Sequence, residues 1–200
     1  GQLLDVGQQV DDVPAAIERV QSDHPNFIAC HADVTDEAQM NEFLSEVEAQ
    51  WGGADVVCAN AGTGGPAARI EDMDYDDWKS CVGVNLFGAF LTCRWAARIM
   101  RDQGHGLIIL TTSTAGLFGY PLRSPYATAK WGIVGLTKTL AGELGPAGIR
   151  VNAIAPGAVE GDRMERVLAN ESAASGKPIE ELRQTYVKGV SLRTWVNTDD

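Results

Sequence analysis

Apolar residues fall into short unbroken runs separated by longer stretches where they recur every three or four positions. The runs cover Gln2–Asp5, Phe27–His31, Asp55–Ala59, Leu107–Thr112 and Arg150–Ala155. Runs this short predict buried strands. Between them, Val13–Ser22, Glu37–Trp51, Tyr75–Arg101 and Tyr126–Leu144 carry helical periodicity. Thr35, followed by acidic residues, predicts the start of the helix at Glu37. The helix from Tyr126 follows Pro125 and stops at Gly145-Pro146. Helices lying between short buried strands act as crossovers, and crossovers make parallel neighbours covered on both faces. The expected fold is α/β: a doubly wound parallel sheet in a three-layer α/β/α arrangement, as a single domain over 1–200.

Composition narrows the partners. Two hundred residues, 44% of them hydrophobic, suffice for one sizeable core. The net charge of −11 repels phosphate backbones and anionic lipid, so neither nucleic acid nor a membrane surface is an expected partner. The longest apolar run, around Val151–Val159, is too short to span a bilayer and contains Pro156. Cys30, Cys58, Cys81 and Cys93 form no CxxC, which favours reduced thiols and a cytoplasmic location. His24, His31 and His105 show no ligand spacing, so no metal is expected. The sequence begins at Gly1 without an initiator Met, as a piece of a longer product would.

In a sheet of this kind ligands lie beyond the carboxyl ends of the strands. Those ends hold Asp5, Asp33-Val34, Asn60-Ala61-Gly62, Thr111-Thr112-Ser113 and Pro156-Gly157. Small residues there let a flat, extended ligand approach the backbone. The sharpest local signal is Tyr126-Ala127-Thr128-Ala129-Lys130. Four-residue spacing at a helix start puts phenol and ammonium on one face, one turn apart. A cation beside a phenol favours the phenolate, which makes Tyr126 a candidate general acid/base. Ser113, thirteen residues earlier at a strand end, could hydrogen-bond the same substrate oxygen. Each feature also has a structural alternative. Ser113 could be a turn residue, Asn85 a mid-helix polar group, and Asp33 or Asp5 a local cap.

Taken in order, Asp33-Val34, Asn60-Ala61-Gly62, Asn85-Leu86, Ser113, Tyr126-Ala127-Thr128-Ala129-Lys130 and the run Ile149–Gly157 resemble the short-chain dehydrogenase/reductase family. The resemblance implies a Rossmann-type fold, a nicotinamide cofactor, and hydride transfer at an alcohol or carbonyl carbon of a small molecule. It implies Tyr126 as acid/base, Ser113 polarising the substrate oxygen, and Lys130 acting on Tyr126 and gripping a ribose. It implies Asn85 in a proton relay through Lys130. Asp33, Val34, Asn60, Ala61, Gly62, Pro156, Gly157 and Val159 would line the cofactor, Val159 through its backbone N–H.

Three departures accompany the resemblance. The family's Gly-rich phosphate loop would precede Asp5, where only four residues stand. Gly161 occupies a place where the family often has Thr. A further helix and a last strand would follow Asp200. Asp5, at the end of its strand, would accept from a ribose hydroxyl and repel a 2′-phosphate, favouring NAD over NADP. The family also implies a substrate lid over 160–187, with Met164, Val167, Leu168, Ile179 and Leu182 beneath it. It implies homo-oligomer contacts, dimer or tetramer, through the helices at Tyr75 and Tyr126. Arg94, Arg98 and Arg101 read as a solvated helix face, and the five tryptophans as core or interface. The competing readings are an NAD-retaining dehydratase or epimerase, and an inactive nucleotide-binding fragment.

Overall fold

The structure, a computed structural model, describes residues 28–197 together with Ile17, Glu18 and Ser22. Those three are helical, within the expected Val13–Ser22. The expected strand Gln2–Asp5, and Asp5 with it, lies outside the described residues.

Three parallel strands form the described sheet: β1 (Val56–Ala59), β2 (Gly106–Thr111) and β3 (Ile149–Ile154), in the order β1-β2-β3. Val57 registers with Ile108, and Ile108 with Val151. All three are buried on one face of the sheet, while the alternating residues Val56, Cys58, Arg150 and Asn152 are exposed. Each strand lies within one residue of its sequence expectation. The expected strand Phe27–His31 is corrected where it is described. Ile28 is buried, but 28–31 joins no ladder among the described residues. An apolar run records burial; a strand also requires a neighbour's N–H and C=O groups.

The helices are α1 (Glu37–Trp51), α2 (Tyr75–Val82), α3 (Gly88–Gln103), α4 (Ser124–Leu144), α5 (Asp162–Ser175) and α6 (Ile179–Lys188). Thr35 does not cap α1. Its N–H and hydroxyl both donate to Asp33 Oδ1 at 2.8 Å. Asp36 caps instead, accepting from the N–H groups of Ala38 and Gln39. The expected helix Tyr75–Arg101 divides into α2 and α3 around a wide turn, Gly83–Phe87, closed by the Gly88 N–H donating to Gly83 O. The cause is Asn85, whose Nδ2 donates to the Cys81 carbonyl four residues back at 2.9 Å. A side chain inserted into the helical ladder displaces the backbone bond that belongs there.

The apolar cluster draws on β1–β3, α1, α3 and α4, with Ile108, Leu110, Ala96 and Met100 at its centre. Trp95 joins it and donates from Nε1 to Glu48 Oε2. The helices α5 and α6 pack on each other beyond β3. The chain following them returns to 158–160, where Glu160 N–H donates to Val196 O at 2.9 Å.

Candidate active site

The carboxyl ends of β1, β2 and β3 converge with the first turns of α4 and the wide turn at Asn85. The strand ends stay zipped beyond the ladder: Thr112 N–H donates to Ile154 O at 2.9 Å and Thr114 N–H to Pro156 O at 3.0 Å. Ser113 is thereby fixed between two backbone bonds, with Oγ accepting from Ala115 N–H at 3.2 Å. Thr112 Oγ1 donates to Lys130 O at 2.8 Å, tying β2 directly to α4. Gly116 completes the contact, since a Cβ there would lie 2.6 Å from Lys130 O.

Helix α4 starts at Ser124 with Pro125 in its first turn, so Tyr126 also belongs to that turn. Lys130, one turn on, is 2% exposed. Its Nζ lies 5.7 Å from the Tyr126 ring centroid and donates to Thr111 O at 2.8 Å. Burial pulls the Lys130 amine down to about 8, and the positive charge of Arg163 adds to the effect. Tyr126 itself is half-buried.

The loop after β1 is held by side chains at successive positions. Asn60 is exposed and its Oδ1 accepts from Thr111 Oγ1 at 2.8 Å. Thr63 O accepts from Asn85 Nδ2 at 3.0 Å. Gly62 lies against the site's polar centre, where a Cβ would sit 2.7 Å from Asn85 Oδ1 and 3.6 Å from Lys130 Nζ. Asn85 Oδ1 is buried and has no hydrogen-bond partner in the protein.

The other expected residues divide. Asp33 caps the turn before α1, while Val34 packs on the core and lies over Gly88 at the start of α3. Pro156 and Gly157 border Thr114. Val159 bridges to Val196 through the flanking Ala158 carbonyl and Glu160 N–H, not through its own N–H. Gly161 begins α5 with φ +136°.

These groups fit a nicotinamide dinucleotide. An unsatisfied buried amide oxygen, a bare glycine backbone beside it and a buried ammonium meet at one strand-end crevice, where a ribose and its ring need acceptor, space and donor. Sequence reasoning missed Arg123. Three residues before Tyr126 and 1% exposed, it places Cζ 5.4 Å from the Tyr126 ring centroid and 5.3 Å from that of Tyr120. It also missed Glu171, Tyr120 and Tyr186 around that guanidinium. Nothing in their spacing signals them.

A family model described as short chain dehydrogenase matches residues 2–172. Levodione reductase of Leifsonia aquatica is 36% identical over 157 residues, 78% of this chain and 59% of that protein. D-beta-hydroxybutyrate dehydrogenase of Rhizobium meliloti is 33% identical over 169 residues, 84% of this chain and 65% of its own length. The chain thus spans under two thirds of both relatives. The crystal structure of an NAD+-bound xylitol dehydrogenase superposes with a TM-score of 0.85 at 29% identity, covering 92% of this chain and 73% of that one.

Proposed function

The chain belongs to the short-chain dehydrogenase family, and on that premise we propose that it is an oxidoreductase acting on the alcohol or carbonyl carbon of a small molecule, with Tyr126 as acid/base. The observation that carries the reading is the Tyr126–Lys130 pair, with a buried ammonium held beside the phenol ring by Thr111 O. When bound, a nicotinamide cofactor supplies the hydride donor or acceptor.

The chain's own groups do the rest. Tyr126 gives a proton to the substrate oxygen in reduction and takes it back in oxidation. The Lys130 ammonium stabilises the phenolate that remains. Ser113, locked between two backbone bonds, aims its hydroxyl at the same oxygen. Asn85 Oδ1, lacking a partner in the protein, is the acceptor through which a relay to Lys130 would pass. Asp33, Val34, Asn60, Ala61, Gly62, Pro156, Gly157 and Val159 are the cofactor-facing set, together with Tyr126 and Lys130.

Five finer readings accompany this one. NAD is favoured over NADP by the carboxylate at Asp5 and by the NAD+ named with the xylitol dehydrogenase neighbour. A secondary alcohol or ketone is the expected substrate class, as the names of the levodione and hydroxybutyrate relatives suggest. Helices α5 and α6 form the substrate lid, resting on the buried Leu168 and Leu182. Phe87, Phe90 and Trp131, each near half exposed, support a homo-oligomer built on α3 and α4. The free cysteines suit a reducing cytoplasm. No helix among the described residues is long and apolar enough to cross a membrane.

Tyr126→Phe tests the mechanism. Turnover falls by about a hundredfold to ten-thousandfold, while NADH affinity, read by fluorescence, stays within about twofold because only a hydroxyl is lost. Unchanged turnover would remove Tyr126 from the chemistry. NADH formed one for one with alcohol consumed separates the oxidoreductase from an NAD-retaining epimerase.

A further inference from the structure

A buried charged junction adjoins Tyr126 beside Lys130. Arg123 Nη1 contacts Glu171 Oε1 at 3.1 Å, and both side chains are less than one-tenth exposed. Its Nη2 donates to Gly64 O in the loop after β1. Its Cζ lies 5.3 Å from the Tyr120 ring centroid and 5.4 Å from that of Tyr126, and the two rings meet edge to face at 6.4 Å. Glu171 Oε1 also accepts from Tyr186 OH at 2.7 Å, and Tyr186 OH is bonded to Tyr120 OH. One guanidinium thus touches the cofactor-side loop, the catalytic tyrosine and, through Glu171, the helix α5; Tyr186 brings in α6.

We propose that Arg123 is a positioning residue for Tyr126, a second fixed cation at its ring, whose field there is offset by Glu171 on α5. The inference rests on the oxidoreductase reading of Tyr126. Two cations flank that ring at similar distance, Lys130 Nζ at 5.7 Å and Arg123 Cζ at 5.4 Å. They differ in permanence. The guanidinium keeps its proton at any working pH, whereas the Lys130 amine does not. The groups facing Arg123 are Glu171 from α5, Tyr186 from α6, Tyr120 from the preceding loop, Tyr126 and Lys130 from α4, and Cys81 from α2. Burial holds the hydroxyls of Tyr120 and Tyr186 above the ordinary phenol range and the Cys81 thiol above its own. Glu171 is the one carboxyl group of this set.

The pH profile of alcohol oxidation tests this. Removing the cation with Arg123→Leu disfavours the phenolate, so the acid limb moves to higher pH. Removing the anion with Glu171→Gln, which keeps the shape, leaves the guanidinium uncompensated, so the limb moves to lower pH. Each shift is expected to be about half a unit to one unit. NADH affinity stays within about twofold in Glu171→Gln, and Arg123→Lys, which keeps a charge but not the fork, moves the limb less than Arg123→Leu does. A structural role alone would change the folded fraction and leave the limb in place. Limbs that do not move, or move in the same direction, overturn the proposal. If Arg123→Leu does not fold, Glu171→Gln alone decides by the same criterion. The ultraviolet tyrosinate signal that Tyr126→Phe removes should shift in the same two directions in cofactor-free protein. An enzyme without activity would thus defeat the oxidoreductase reading while this signal still judged Arg123.

Discussion

Ile108 and Leu168 are both wholly buried, yet they sit in different kinds of interior. Around Ile108 the neighbours are aliphatic and sulfur-bearing side chains from three strands and three helices. That apolar cluster includes no residue of α5 or α6 among those described. Leu168 lies on α5, which Glu171 ties to the site through Arg123 and Glu165 ties to α6 through Arg183. Apolar contact is non-directional and survives small displacements, whereas a hydrogen-bonded ion pair is either made or broken. The half that must hold Tyr126 and Lys130 in place is built from the first. The half made of α5 and α6 is fastened by the second.

Truncation at the two sites measures that difference. Ile108→Ala should lower global stability in urea by about 3 kcal/mol, since a side chain with no exposed surface leaves a cavity in a packed cluster. Leu168→Ala should cost under about 1 kcal/mol globally, because α5 and α6 can open on their own, and should instead remove hydrogen-exchange protection across 162–188. Equal global costs would show that both helices belong to one cooperative core and would erase the comparison.

The same division governs what the sequence revealed. The strands at Val56, Gly106 and Ile149 were legible because each is a short, mainly apolar run, although β1 and β3 are buried on one face only. Tyr126, Lys130 and Ser113 stood out as candidates through local spacing and strand-end position, and Asn85 only through the family resemblance. Arg123 and Glu171 were not. They meet across 48 residues, and a charged residue in a loop or on a polar helix reads as solvated until tertiary contact buries it. Residues 28–31 failed for the opposite reason, since their apolar run is local while the ladder that would make a strand is not. The cap of α1 passed from Thr35 to Asp36 because Asp33, two residues before Thr35, captured its hydroxyl.

Two buried cations sharpen the contrast from a second side. Arg123 faces a carboxylate, whereas Lys130 faces a backbone carbonyl and is held down to about 8. Below about pH 8 folded and unfolded chains both hold the Lys130 proton, and burying the charge counts fully against the fold. Between about 8 and the ordinary 10.5 the unfolded chain binds more protons, so stability rises with pH through that window. The rise attributable to Lys130 is at most roughly 3 kcal/mol, from a shift of about two and a half units. Lys130→Met should flatten it, which urea unfolding at the two ends of the window would show. A rise that persists in Lys130→Met would place its origin in other groups.

The smallest effect is expected where an ion pair lies outside both interiors. Arg94 on α3 reaches Glu37 on α1 at 2.5 Å, closer than the 3.1 Å between Arg123 and Glu171. Distance alone would rank the surface pair higher. Yet its side chains are 46% and 61% exposed, so water screens the attraction and two long side chains must be ordered to make it. Arg94→Ala should therefore change stability by no more than about 0.5 kcal/mol, with the difference fading in high salt. Arg123→Leu should exceed it severalfold, because it strands a buried carboxylate. Were Arg94→Ala the costlier of the two in urea, proximity and not burial would decide what these pairs contribute, and α5 would have no need of its buried fastening.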